Sequence, residues 1–127
     1  MHGSNSKSSI ARKRLLFPKS RRLPSSSSFQ SVFSNGVEIA GRAMVVWVSR
    51  KADCERRMGV IATKRTFKNA VDRNRAKRLI RESFRLLQDK FSKEPWDMVI
   101  LARRRILSMK QQDVQREMRS ICRRHGI

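Results

Sequence analysis

Acidic residues are scarce in this chain: 10 Asp and Glu stand against 31 Lys and Arg across 127 residues, a formal charge of +21. A protein nuclease needs carboxylates clustered around a metal, or histidines placed for acid–base work. Here the acids are scattered, no Asp-x-Asp or Glu pair sits in an apolar run, and His2 and His125 lie near opposite ends. Any hydrolytic chemistry must therefore come from a partner. Cysteine is equally sparse. Cys54 and Cys122 are far apart, whereas zinc takes about four N or S ligands from close groups. Two unpaired thiols in a reducing compartment are expected instead. Long apolar runs are missing as well. Leu15-Leu16-Phe17 stops at Pro18, too short for a secretory segment, and nothing is long enough to span a membrane. The expected location is the cytoplasm.

So large a positive excess is tolerable chiefly on a polyanion, because like charges repel in a compact fold. An anionic membrane surface is the second candidate, but the chain has no strongly amphipathic anchor. Nucleic acid stands ahead of it.

The charge is densest from Lys68 to Arg85, with seven basic residues against Asp72 and Glu82 and no Gly or Pro. Straight-chain helix formers dominate, so an α-helix is expected. At about 100° per residue its two chemistries separate. Ala76, Leu79, Ile80, Phe84, Leu87 and Phe91 fall on one side; Asn74, Arg78, Arg81 and Arg85 form a stripe on the other, flanked by Arg75 and Lys77. A solvated helix face would carry acids four residues from its bases. Glu82 can answer Arg78 and Asp89 can answer Arg85, but Arg73, Arg75, Lys77 and Arg81 have no comparable partner. The stripe is expected to meet phosphate.

Ala70-Val71-x-Arg73-Asn74-Arg75-x-Lys77-Arg78-x-x-Arg81-Glu82 resembles the signature helix of the bacterial ribonuclease P protein subunit. That family partners a large catalytic RNA which removes the 5′ leader of precursor tRNA. The resemblance implies that Arg73, Asn74, Arg75, Lys77, Arg78 and Arg81 grip the catalytic RNA subunit. It also implies that Mg²⁺, held mainly by RNA, is the cofactor of the chemistry, with Asn74 a candidate to position a hydrated ion. One departure stands out: Lys68 occupies a position where the family usually has Gly before Asn-Ala-Val.

Taken in order, residues 1 to 22 carry seven bases and no acid among several serines, the composition of a disordered basic tail. The tail is either a loose RNA-gripping arm or an extension with no defined role. A single RNA-binding domain is expected over 23–127. Pro24 and the serines after it mark its entry, with Ser27 or Ser28 as N-cap of a short helix ending at Gly36. Phe29, Val32 and Phe33 share a face of that helix, and aromatics so placed are ordinarily core. Arg22-Leu23 with Phe29-Gln30-x-Val32-Phe33-x-x-Gly36 is also similar to the family's N-terminal helix, whose rings line a cleft for the single-stranded leader. Unpaired bases stack on aromatic rings whatever their sequence.

A weak strand is expected at Val37–Ala40 and a stronger one at Met44–Ser49, with Met44, Val46 and Val48 on one face and Val45 and Trp47 on the other. A polar turn from Arg50 to Arg56 leads to a third, Arg57–Lys64. The resemblance places Phe29, Phe33, Trp47, Arg57, Lys64 and Arg103 in the leader-binding set, while plain core remains an equal reading of Trp47. Trp96–Ala102 forms a continuous apolar run, expected as a buried, interior and parallel strand. Arg103-Arg104-Arg105 after it is either solvated or a second RNA contact. Ser108-x-x-Gln111 has the capping-box pattern and opens a last helix burying Val114, Met118, Ile121 and Cys122.

The resulting order is helix, two or three strands, long helix, strand, helix. This is an α+β fold, a two-layer α/β sandwich of about four strands. The long helix connects two parallel neighbours as a βαβ crossover, which is right-handed as a rule and left-handed in the family resembled. The expected function is that of a ribonuclease P protein subunit binding the ribonuclease P RNA and precursor tRNA, with no membrane and no obligate protein partner. A structural ribosomal RNA-binding protein shares its charge and size. A DNA-binding regulator fits less well, since a reader helix needs a compact base-contacting edge.

Overall fold

The computed structural model describes residues 22–23, 26–50 and 56–127. The basic tail up to residue 21, His2, the entry at Pro24 and Ser25, and Cys54 lie outside them.

The strongest strand pattern forms the centre of the sheet. β2 (Met44–Arg50) buries Met44, Val46 and Val48 and leaves Val45, Trp47 and Ser49 partly exposed, the period of two expected of a pleated strand. β1 (Val37–Ala40) pairs antiparallel on one side of it, with Ile39 opposite Val46. On its other side lies β4 (Trp96–Ala102), also antiparallel, with Val46 opposite Ile100. β3 (Arg57–Ile61) is the far edge and runs parallel to β4, Met58 opposite Met98. The order β1-β2-β4-β3 makes β4 an interior strand covered on both faces, which explains its unbroken apolarity. It is parallel to one neighbour only, so the expected parallel strand sits in a mixed sheet.

The connection from β3 to β4 is the long helix α2 (Ala70–Leu87). Its apolar stripe packs onto one sheet face together with α3 (Gln111–Arg124). Ala76, Ile80, Phe84 and Leu87 meet Val114, Met118, Ile121 and Cys122 there, along with Met44, Val46, Met98 and Ile100 from the sheet. Phe84, Phe91 and Trp96 form a ring cluster with centroids 5.3–6.4 Å apart, each pair worth about 0.5–1.5 kcal/mol beyond the area it buries. Phe91 lies past the helix end but is buried as expected. Burial pushes the Cys122 thiol up to about 12, so it behaves as a small core residue.

Among the described residues the opposite face is covered by the short helix α1 (Ser26–Asn35) together with Leu23. Val32, Leu23 and Val99 are buried there, with Phe29, Phe33, Trp47 and Ile61 packed around them. Among the described residues no helix is long and apolar enough to cross a membrane.

Two expected caps form differently. α1 already includes Ser26, so Ser27 and Ser28 lie inside its first turn. The Ser108 capping box does not close: Ser108 belongs to a 3₁₀ turn at Arg104–Ser108, its hydroxyl donates to the Arg105 carbonyl (2.9 Å), and α3 begins after Lys110. Gln111 turns inward instead. Its amide donates to Ser83 Oγ (2.6 Å), which itself donates to the Leu79 carbonyl (2.8 Å), a polar latch between α2 and α3 in which Ser83 is buried and Gln111 half-buried.

Candidate nucleic-acid interface

The start of α2 is held unusually firmly. Asn69 is its N-cap, accepting from the Asp72 N–H at 2.9 Å, and Asp72 complements the positive end of the helix dipole. The preceding turn is closed by Thr63, whose hydroxyl meets Thr66 (3.0 Å) and whose carbonyl accepts from Phe67 N–H (2.9 Å). Phe67 plugs the core completely. Arg73 reaches back to donate to the carbonyls of Phe67 (2.9 Å) and Lys68 (3.3 Å). Lys68 itself is exposed, so the turn closes with a side chain at that position.

With the crossover fixed, the polar stripe of α2 has one place to face. Asn74, Lys77, Arg78, Arg81, Glu82 and Arg85 form one wall of a groove of about 590 Å³ along the outer edge of β3. Met58, Gly59 and Val60 line it, and Arg22, Leu23 and Phe29 complete it. Leu23 N–H donates to the Met58 carbonyl (3.2 Å), and Arg22 bridges Met58 in parallel register. Gly59 makes the Phe29 wall possible, because a β-carbon there would strike the Phe29 ring.

Glu82 pairs with Arg85, three residues on, and not with Arg78 as the four-residue rule suggests. Nor does Asp89 answer Arg85, whose guanidinium is taken by Glu82. The hydrogen bond from Arg85 holds the Glu82 carboxyl below its ordinary value. Among the described residues no ion pair reaches Lys77, Arg78 or Arg81. Cations left without acids along one wall attract a polyanion rather than each other.

Of the six residues assigned to the RNA subunit, Asn74, Lys77, Arg78 and Arg81 line this groove. Arg73 is half-buried on its carbonyls, and Arg75 is exposed outside the groove. The leader-binding set is more dispersed. Phe29 faces the stripe across the β3 edge. Phe33 and Trp47 sit beside it, edge to face with centroids 4.9 Å apart and both partly exposed. Arg57 is tied to Asp97 by two hydrogen bonds of 3.0 Å. Lys64 is exposed in the turn after β3. Arg103, exposed after β4, donates to the Gly41 carbonyl at 3.0 Å. Of the leader-binding set only Phe29 lines the groove, so the two sets, on opposite faces of the sheet, meet across the β3 edge at Phe29. Arg22, Glu82 and Arg85 join the groove without having been assigned to it. Arg85 continues the spacing of the stripe, and Arg22 belongs to the Arg22-Leu23 pair that carries the resemblance at the N-terminal helix.

The donors do not suit a resident divalent cation. Hard cations take several oxygens, yet among the described residues the side-chain oxygens lining the groove are those of the Asn74 amide and of the Glu82 carboxylate already bonded to Arg85. Among the described residues no group of three or more His, Cys, Asp or Glu could hold a metal. His125 Nε2 donates to the Val46 carbonyl (3.0 Å), and Glu117 accepts backbone N–H groups.

Comparison with known proteins bears directly on this arrangement. A family model described as Ribonuclease P matches residues 17–126. A ribonuclease P protein component from an Exiguobacterium species is 37% identical over 109 residues, covering 86% of this chain and 93% of that one. The one from Syntrophus aciditrophicus is 40% identical over 106 residues, covering 84% and 87%. The solved structure of the Staphylococcus aureus RNase P protein superposes with a TM-score of 0.69 at 27% identity, over 79% of this chain and 90% of that one. The chain belongs to the ribonuclease P protein family.

Proposed function

We propose that this chain is the protein subunit of a ribonuclease P holoenzyme, in which RNA performs the cleavage and the protein binds and positions RNA. The observation that carries this reading is the row Lys77, Arg78 and Arg81, without acidic partners among the described residues, facing Phe29 across the β3 edge. Asn74 and the row engage the backbone of the catalytic RNA from the α2 side, with Arg75 extending the contact on the outer face. The leader of precursor tRNA enters from the side of α1, where Phe29, Phe33 and Trp47 offer ring faces for stacking. Lys64 and Arg103 add charge at the far ends of β3 and β4.

Arg57 and Arg73 serve this scheme indirectly. Arg57 braces β3 against β4 through Asp97, and Arg73 ties the crossover turn. Mg²⁺ is held by RNA phosphates. The protein lowers the concentration needed by neutralising charge as two RNAs come together. The working compartment is the cytoplasm.

Reconstitution tests this. Precursor tRNA is incubated at low Mg²⁺ with the organism's ribonuclease P RNA, with this protein, and with both. Cleavage at the mature 5′ end is expected only with both together. Cleavage by the protein alone, or no stimulation of the RNA, contradicts the proposal. Copurification with ribosomes in place of one RNA points instead to a ribosomal role.

A further inference from the structure

A second concentration of arginine lies at the other lateral end of the sheet, where β1 is the edge strand. It is organised by the turn Gly41–Ala43 between β1 and β2. Glu117 on α3 is one of only 10 acids in the chain, and among the described residues it pairs with no cation. Its two carboxylate oxygens accept the backbone N–H groups of Arg42 (2.9 Å) and Ala43 (2.7 Å). Gly41 permits this approach, since a β-carbon there would lie 2.8 Å from the Glu117 carboxylate carbon and 2.7 Å from Ile121 Cδ1. From the other side Arg103 donates its N–H to the Ala43 carbonyl (2.9 Å) and its guanidinium to that of Gly41 (3.0 Å).

A three-residue turn is thus fixed by two residues distant in sequence, and it presents Arg42 outward. Arg42 shares a hollow of about 690 Å³ with Arg105 and Arg116, and all three are exposed. The one acid near them that is not bonded to backbone, Asp113, pairs with Arg116 at 3.6 Å. That pair is solvent-exposed and worth little. Among the described residues the hollow shares none with the groove along β3, and no aromatic side chain lines it.

We propose that this hollow is a second seat for an RNA phosphodiester backbone, with Arg42 and Arg105 as the phosphate contacts and Glu117 as the positioning residue that builds it. The inference rests on the RNA-binding role proposed above. Guanidinium forks match phosphate oxygens, and without rings to stack a base the seat suits the backbone of folded RNA rather than a single-stranded leader. With one seat at each lateral end of the sheet, the protein can bridge two RNA segments.

The test is a salt series. Binding is measured for the ribonuclease P RNA with protein, and separately for precursor tRNA with assembled holoenzyme. Each series uses wild type, Arg42→Ala/Arg105→Ala, Glu117→Gln, and the charge-matched control Lys90→Ala/Lys93→Ala at exposed positions near the other end of β4. Thermal unfolding verifies that every variant is folded. The arginine double variant is expected to flatten the log–log salt slope by about 1.4–1.8, at about 0.7–0.9 per phosphate contact, while the control keeps the wild-type slope. Glu117→Gln makes the protein more positive and is nevertheless expected to weaken RNA binding, because the turn loses its anchor. A loss confined to the tRNA series supports the seat and assigns its phosphates to the substrate. An unchanged slope in the arginine variant, an equal loss in the control, or tighter binding by Glu117→Gln overturns the proposal. Failure of wild type itself to bind the RNA overturns the earlier reading instead.

Discussion

Arg73 and Arg78 lie five residues apart on one helix and carry the same charge, yet their surroundings give them different work. Arg73 is bonded to the carbonyls of Phe67 and Lys68, whereas Arg78 faces the groove with no acid bonded to it among the described residues. Arg73→Ala is expected to cost about 1.5–3 kcal/mol of stability, the range of lost hydrogen bonds to a charged group, and to shift the denaturant midpoint. Arg78→Ala should leave that midpoint unchanged and flatten the salt dependence of RNA binding by about 0.7–0.9 in log–log slope. Denaturation and RNA titration on both variants separate the two roles. His125 provides a second residue-scale expectation. Burial, with Arg50 and Arg124 nearby, holds its pKa below the ordinary histidine value despite the bond to the Val46 carbonyl. The folded state therefore prefers the neutral ring. Its stabilising contribution is full above the unfolded-state pKa of about 6.5 and is lost as pH falls through the lower folded value. Unfolding midpoints measured from pH 7.5 downward should fall more steeply for wild type than for His125→Asn.

At the scale of elements, the half-buried latch between α2 and α3 replaces a cap that the sequence suggests. Ser83→Ala removes the acceptor of the Gln111 amide at 2.6 Å and leaves only the Leu79 carbonyl at 3.5 Å. The expected cost is about 1–3 kcal/mol, read as a lower denaturant midpoint at unchanged slope. Gly59→Val should displace Phe29 from the edge of β3, reducing the preference of the holoenzyme for precursor over mature tRNA while sparing assembly with the RNA. Equal loss for both tRNAs contradicts a leader contact at Phe29. These two sites also mark where sequence is and is not informative. Alternation located β2 and the start of β3, which ends at Ile61 and not at Lys64, an unbroken apolar run located β4, and the apolar stripe of α2 identified Ala76, Ile80, Phe84 and Leu87 as core, because local pattern determines which face an element buries. The Ser83–Gln111 and Glu117–Ala43 bonds join residues 28 and 74 apart, and no local spacing encodes such pairs. The same holds for Arg57, whose partner Asp97 is 40 residues away. Glu82 chose Arg85 over Arg78 because side-chain direction on the folded helix, rather than spacing alone, decides which ends meet.

For the whole molecule, a charge of +21 sets a problem that RNA resolves, since the like charges on α2 are relieved only when phosphates lie against them. The topology places the Arg78 stripe and the ring of Phe29 on two walls of one groove because β3 is an edge strand with α2 and α1 on either side of it. Reversing charge on the cationic wall, in Arg78→Glu/Arg81→Glu, tests this account most directly. The measurement is the rate of precursor-tRNA cleavage by the reconstituted holoenzyme at low Mg²⁺, with a parallel series at high Mg²⁺. The rate should fall at least ~10-fold at low Mg²⁺, as several phosphate contacts turn repulsive, and recover when added Mg²⁺ supplies the missing counter-charge. A folded double variant that cleaves as fast as wild type at low Mg²⁺ would contradict it.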